Sequence, residues 1–279
     1  MKSRVAILLT LMTTLLLASQ DPWEGNEYAK NSESQKSSAD DFLQGMQFQW
    51  SKTILDVGCG DGKITAAMAR AVPEAFVIGV DISPSMIETA KNNYPSSNNL
   101  SFQVQDAAKL EFHEEFDLIT SFTVMQWVLD QYQALQCFER AIKPDGKLWI
   151  QMPTDLPAAM KEALDKTLSS DRWKSYFVQF AAPWRFYQPE EYRILLTDAK
   201  LNPTRLIVVT KHEKFPSRTV FHGFLKQWFP YLRAIPADQK DDFLTDLLDH
   251  YLKILPTDDQ GRVSFIVDRL EVEATKAIL

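Results

Sequence analysis

A chain of 279 residues, 45% hydrophobic and 24% charged, has an ordinary globular composition and enough length for one sizeable core with insertions. Its formal net charge of -7 provides no concentration of Lys and Arg to meet a phosphate backbone, so no nucleic-acid partner is expected. Cys59 and Cys137 are too few for a disulfide framework and are expected as free thiols, and His113, His212, His222 and His250 lack metal-ligand spacing, so no metal is expected.

Residues 1–20 carry Lys2 and Arg4, an apolar run from Val5 to Ala18, then Ser19 and Gln20. This is the pattern of a secretory signal peptide, and it is too short for a comfortable membrane span. An exported protein, an enzyme tethered to the membrane through residues 1–20 and an extension from an upstream start all fit it. Residues 21–50 combine a polar stretch from Trp23 to Gln35 with a helical stripe of Ala39, Phe42, Leu43 and Met46.

A glycine-rich turn, Leu55-Asp56-Val57-Gly58-Cys59-Gly60-Asp61-Gly62, closes the apolar strand Thr53 to Val57 and opens a helix on which Ile64, Ala67, Met68 and Ala71 are expected to face the core. Glycines at alternate positions admit positive φ and let a ligand approach the main chain. The acids Asp56 and Asp61 argue against phosphate, which seeks bare amides and positive charge at a helix N-terminus. The Gly-x-Gly-x-Gly spacing also departs from the Gly-x-Gly-x-x-Gly of dinucleotide folds and disfavours a nicotinamide-dependent oxidoreductase.

Phe76 to Asp81 is a second buried strand, and Asp81 stands where a carboxylate takes both hydroxyls of a ribose. Ser83 and Pro84 then read as N-cap and first residue of a helix through Met86, Ile87 and Ala90. Phe102 to Asp106 is a third strand ending in an acid. Leu118 to Phe122 is a fourth and, after the turn Lys143-Pro144-Asp145-Gly146, Lys147 to Met152 a fifth. A helix with Ala134, Cys137, Phe138 and Ala141 on one face lies between them. From Pro153 onward the pattern is helical, with aromatic faces at Trp173, Tyr176, Phe177 and Phe180 and at Tyr192, Leu195, Leu196 and Ala199. Leu206 to Thr210 is a sixth strand. A helical insertion rich in Phe and Trp precedes the last strand, on which Ile266, Leu270, Val272 and Ala274 share one expected buried face.

This alternation of strand and helix is the α/β pattern. With acids at the ends of its first three strands, the sequence resembles the class I S-adenosylmethionine-dependent methyltransferases from about Trp23 to Lys276. The resemblance implies a seven-stranded, mostly parallel Rossmann-like sheet with helices on both faces and a helical lid insertion. Residues 21–279 then form the methyltransferase domain: cap 21–50, cofactor-binding core 51–153, helical segment 154–200, sixth strand 204–215, lid 216–261 and last strand 262–276. It also implies S-adenosylmethionine as cofactor. Asp56, Gly58 and Gly60 would line its methionine portion, Asp81 its ribose with Ile82 alongside, and Asp106 and Ala107 its adenine, while Ser121 and Phe122 would lie beneath the sulfur by backbone contact. A cytoplasmic location follows from that cofactor, against the exported reading of residues 1–20.

Two finer features resemble the trans-aconitate and juvenile hormone acid methyltransferases. One is the Tyr28 to Gln35 spacing ahead of a helix; the other is Gln126-Trp127-Val128-Leu129-Asp130 after the fourth strand. They imply that Gln35 and Trp127 hold an acceptor carboxylate, although Trp127 also reads as a packing residue and Gln126 replaces a histidine. A carboxylate is ionised at neutral pH and needs no general base, which suits a sequence with no His-Asp pair. His222 is the one candidate base for an amine or phenol, and Arg185 and Arg218 are either anion attractors or surface charges. The reading is a monomeric enzyme that methylates a small molecule, a carboxylic acid, to its ester. The alternatives are the same fold acting on an amine, phenol or carbon, and an exported ligand-binding protein without catalysis.

Overall fold

The computed structural model describes residues 47–95 and 98–277. The signal-like segment, the stripe Ala39 to Met46 and nearly all of the cap lie outside the described residues. Strands β1 (Thr53–Val57), β2 (Phe76–Asp81), β3 (Leu100–Val104), β4 (Phe116–Phe122), β5 (Ile142–Pro153), β6 (Leu201–Phe215) and β7 (Val263–Lys276) form a seven-stranded sheet in the order β3-β2-β1-β4-β5-β7-β6. The pairings from β3 to β5 are parallel, and β7 runs antiparallel to both β5 and β6.

The central strands are short apolar runs because both of their faces are covered. Leu55, Val57 and Ile119 enter one core with Leu135 and Phe138 of α3 (Gln131–Ala141) and Tyr192 and Leu196 of α5 (Pro189–Asp198). Ile54, Val77 and Leu118 enter another with Met68 of α1 (Lys63–Ala71) and Ile87 of α2 (Pro84–Asn93). A third core lies under α4 (Ala158–Leu168), α6 (Arg218–Trp228) and α7 (Lys240–Ile254), the last two inserted between β6 and β7. Among the described residues no helix is long and apolar enough to cross a membrane.

Helix α2 starts as its sequence dictates, with Pro84 in the first turn and Ser83 Oγ accepting from Met86 N at 3.1 Å. Other elements differ from the sequence reading. Strand β3 begins at Leu100 and ends before Asp106, because that side chain turns to accept from Ala108 N at 3.0 Å and caps a short 3-10 turn, Ala107–Lys109. Strand β5 begins at Ile142, and the expected turn at Lys143 to Gly146 is a bulge in it, since Ile142 pairs with Phe116 and Lys147 with Leu118. Strand β6 runs from Leu201 to Phe215, paired with β7 throughout. The aromatic face Trp173 to Phe180 surrounds a 3-10 turn, Lys174–Phe177, in place of a regular helix.

On α1 the buried residues are Thr65, Ala66, Met68 and Ala69, so of the expected face only Met68 is fully covered and Ala71 is exposed. The shift follows from Thr65, whose hydroxyl is drawn inward by Asp56. On β7, Leu270, Val272 and Ala274 are buried as expected, whereas Ile266 is 38% exposed. Only Arg269 to Thr275 pair with β5; the earlier half pairs with β6 alone and turns Val263, Phe265 and Val267 toward the inserted helices.

Asp56 at the end of β1 is 2% exposed. Its oxygens accept from Thr65 Oγ1 of α1 at 2.6 Å and Thr120 Oγ1 of β4 at 2.9 Å, tying three elements together. Burial raises its pKa from 3.8 to about 6 against the pull of those two bonds. The native state therefore binds this proton more tightly than the unfolded chain does. The resulting stabilisation is present below about pH 4 and is lost as pH rises through about 6. Asp56→Asn removes that titration. Thermal unfolding between pH 4 and pH 7 is expected to show wild type losing on the order of 2 to 3 kcal/mol relative to the variant; parallel profiles would mean that Asp56 does not titrate in this window.

Candidate active site

The glycine turn is built against β2. Gly58 N and Cys59 N both donate to Val80 O, at 2.7 and 3.0 Å, and Gly60 N donates to Asp81 Oδ2 at 3.0 Å. Gly58, Gly60 and Gly62 all have positive φ, and a Cβ on Gly58 would overlap the side chain of Val124. Asp81 Oδ1 meanwhile accepts from Ser83 N at 2.9 Å. Cys59 and Cys137 are both buried free thiols, and burial holds the Cys59 thiol well above its ordinary pKa.

A cavity of about 590 Å³ opens at the carboxyl ends of the parallel strands, where open α/β sheets bind ligands. Gly58, Gly60, Asp81, Ile82, Asp106, Ala107 and Phe122 line it together. Two other residues expected on the cofactor do not. Asp56 is turned beneath the loop to Thr65 and Thr120, and Ser121 is fully buried in the sheet. Alternation along β1 and β4 sends these side chains into the protein, a constraint that a motif at a strand end does not display.

The far part of the cavity is aromatic. Trp127 lines it and packs against Trp184 with ring centroids 5.5 Å apart; Trp184 in turn meets Phe186 at 5.5 Å and Trp228 at 6.1 Å. Phe224 of α6 and Phe265 of β7 complete this wall. Gln126 also lines the cavity, with Nε2 donating to Thr123 O at 2.9 Å and Oε1 accepting from nothing among the described residues. Gln35 lies outside the described residues.

Three residues weighed from the sequence stand elsewhere. His222 faces Asp241 at 3.8 Å, Arg218 pairs with Asp249 at 2.6 Å, Arg185 is exposed, and none of them lines the cavity. Two cations among the described residues do: Lys109, exposed and paired with Asp106 at 3.3 Å, and Arg269 of β7, 5% exposed, which the sequence reading passed over. Its Nη1 donates to Thr123 Oγ1 at 2.9 Å and its Nη2 to Glu213 Oε1 at 3.3 Å. Thr123 itself has φ 60, an unusual conformation for a β-branched residue and one that collects at functional sites. The available signal was the single arginine of β7, set between Val267 and Leu270.

A family model described as a methyltransferase domain matches residues 50–193. Among curated proteins, "Putative methyltransferase 235L" of Invertebrate iridescent virus 6 is 28% identical, over 88% of this chain and 89% of that protein. The trans-aconitate 2-methyltransferase of Methylobacterium nodulans is 24% identical, over 91% of this chain and 98% of that one. Among solved structures, the YcgJ protein of Bacillus subtilis superposes with a TM-score of 0.60 at 18% identity, over 88% of this chain and 100% of that one. Phosphoethanolamine N-methyltransferase 2 of Haemonchus contortus, solved with S-adenosyl-L-methionine, has a TM-score of 0.54 at 17% identity, over 87% of this chain and 53% of that one. With the family model spanning just over half of its length, the chain belongs to the methyltransferase-domain family, the S-adenosylmethionine-dependent methyltransferases that its motifs resemble.

Proposed function

We propose that this methyltransferase acts on the carboxylate of a small organic acid and releases a methyl ester. The observation that carries the reading is the composition of the cavity: among the described residues no His, Cys or Tyr lines it. An amine or phenol acceptor calls for a group to remove its proton; beside the acids assigned to the cofactor the cavity offers only the carboxylates of Asp130 and Asp155, weaker bases than an imidazole, whereas a carboxylate acceptor is already ionised at neutral pH and needs none. The trans-aconitate 2-methyltransferase relatives support the same reaction type.

The glycine turn fits the cofactor, since Gly58 and Gly60, both at positive φ and without a Cβ, present main chain to the cavity. Asp81 lines the cavity with a carboxylate, a group suited to accept from a ribose diol. Asp106 and Ala107 are assigned to the adenine end, Ile82 to the edge of the nucleoside and Phe122 to the neighbourhood of the sulfur. S-adenosylmethionine supplies a sulfonium methyl group, which passes to a carboxylate oxygen while the S–C bond pair returns to sulfur and no proton moves. The chain's own contribution is alignment and exclusion of water. The aromatic wall from Trp127 to Phe265 shields the acceptor, and Trp127, with Gln35, is assigned to hold its carboxylate. Asp56 acts indirectly by fixing the base of the loop.

Two outcomes are expected. Asp81→Ala weakens cofactor binding at least about tenfold by calorimetry, the loss of one or more charge-assisted bonds of roughly 1.5 to 3 kcal/mol each, with folding checked by circular dichroism. Unchanged affinity would remove Asp81 from the site. Methyl label transferred from S-adenosylmethionine to a pool of small acids, amines and phenols is expected to be released as methanol by mild base; transferred label that survives base would overturn the carboxylate reading.

A further inference from the structure

The aromatic part of the cavity contains one buried cation, and its surroundings are those of a prepared anion site. Arg269 sits opposite Pro153 where β5 ends, so its side chain reaches the carboxyl edge of the sheet, beside the segment that follows Phe122. A guanidinium has five N–H donors in one plane. Thr123 Oγ1 and Glu213 Oε1 engage one each, which fixes the plane, and Nε has no partner among the described residues. Nε is itself closed off, so the donors left for a ligand are the second N–H groups of Nη1 and Nη2, and a charge held inside the protein with such donors unmet is unfavourable unless a ligand meets them. The left-handed Thr123 is further evidence of a held geometry, because its hydroxyl reaches Arg269 from a backbone conformation that Thr avoids.

The rest of the wall restricts what the anion is attached to. Trp184, Trp228, Phe224 and Phe265 offer apolar faces, the acids Asp130 and Asp155 also line the cavity, and its other lining cation, Lys109, is paired with Asp106 of the proposed adenine end. A polyacid would place its other carboxylates against aromatic rings or near these acids, where desolvation and like charge oppose it. We infer that Arg269 anchors the carboxylate of an acid with one anionic group and an apolar body, and that Thr123 and Glu213 are the positioning residues that orient the guanidinium. This rests on the carboxylate reading above and adds to it the residue and the class of acid. It sets the chain apart from the tricarboxylate in the name of its trans-aconitate relatives.

The test is calorimetric titration of the full chain, saturated with S-adenosylhomocysteine, with octanoate, its neutral isostere octanamide and trans-aconitate. Octanoate is expected to bind wild type at least about tenfold more tightly than either comparison ligand, the contribution of a charge-assisted contact. Arg269→Gln should abolish the preference for octanoate over octanamide while leaving the affinity for S-adenosylhomocysteine unchanged. Because that variant leaves Glu213 without Arg269 and is liable to misfold, the double variant Arg269→Gln/Glu213→Gln keeps the charge balanced, and Arg269→Lys should restore part of the preference. Equal binding of octanoate and octanamide by wild type, tighter binding of trans-aconitate, or an unaltered preference in the folded double variant would each overturn the inference. Arg269-dependent binding of octanoate without ester formation from any acid would leave the anchor standing and remove the carboxyl-transfer reading; ester formation indifferent to Arg269 would do the reverse.

Discussion

The candidate site depends on how the end of β2 holds the glycine turn. Val80 O accepts two successive amides of the turn, and Asp81 bridges Gly60 N to Ser83 N, the cap of α2. A loop of left-handed glycines has large conformational freedom to lose, and these bonds hold it in one shape before any ligand arrives. Asp81 is therefore both a wall of the cavity and a strut of its floor. Gly79 shows how tightly this region is packed: a Cβ there would lie 2.8 Å from Phe102 Cδ1 and 2.9 Å from Cys59 Cβ, so the strand beneath the turn accepts no side chain without displacement.

The parallel half of the sheet was legible because its signals are local. β1 and β2 are apolar runs closed by an acid, Ser83 and Pro84 announce a helix, and glycines at alternate positions announce a turn. The direction of a side chain is not local. Asp56 and Asp81 look alike as acids at strand ends, yet Asp56 falls on the face covered by α1 and is met by Thr65 and Thr120, while Asp81 reaches the cavity. The difference lies in hydroxyls distant in sequence that happen to be placed beneath β1. One step of the pleat likewise separates Ser121, whose side chain is buried in the sheet, from Phe122, which lines the cavity.

The antiparallel edge was less legible because β7 exchanges one environment for another along its length. A single alternation of buried and exposed residues was the natural expectation, and it holds from Leu270 to Ala274. Before that point the strand has left β5 and its opposite face meets the inserted helices, so Ile266 emerges and Phe265 is covered. Arg269 stands at the changeover. On the simple alternation it belongs to an outward face; in the folded protein that face is the cavity wall.

This arrangement divides the cavity between two structural sources. The part around Gly58, Asp81 and Asp106 comes from the ends of adjacent parallel strands, and altering any one of them disturbs the sheet. The part around Trp184, Phe224, Trp228 and Arg269 comes from the segment before α5, the inserted helix α6 and the antiparallel strand β7. Substitutions there change the shape and charge of one side of the cavity and leave the bonds among Gly58, Gly60, Val80 and Asp81 untouched. Methyl donation and acceptor choice are thus physically separable in this fold, and function has to be argued from the second set of residues. Identity of 24% to 28% with curated relatives is compatible with a shared donor site and a different acceptor, because the residues of the aromatic side of the cavity lie outside the glycine turn.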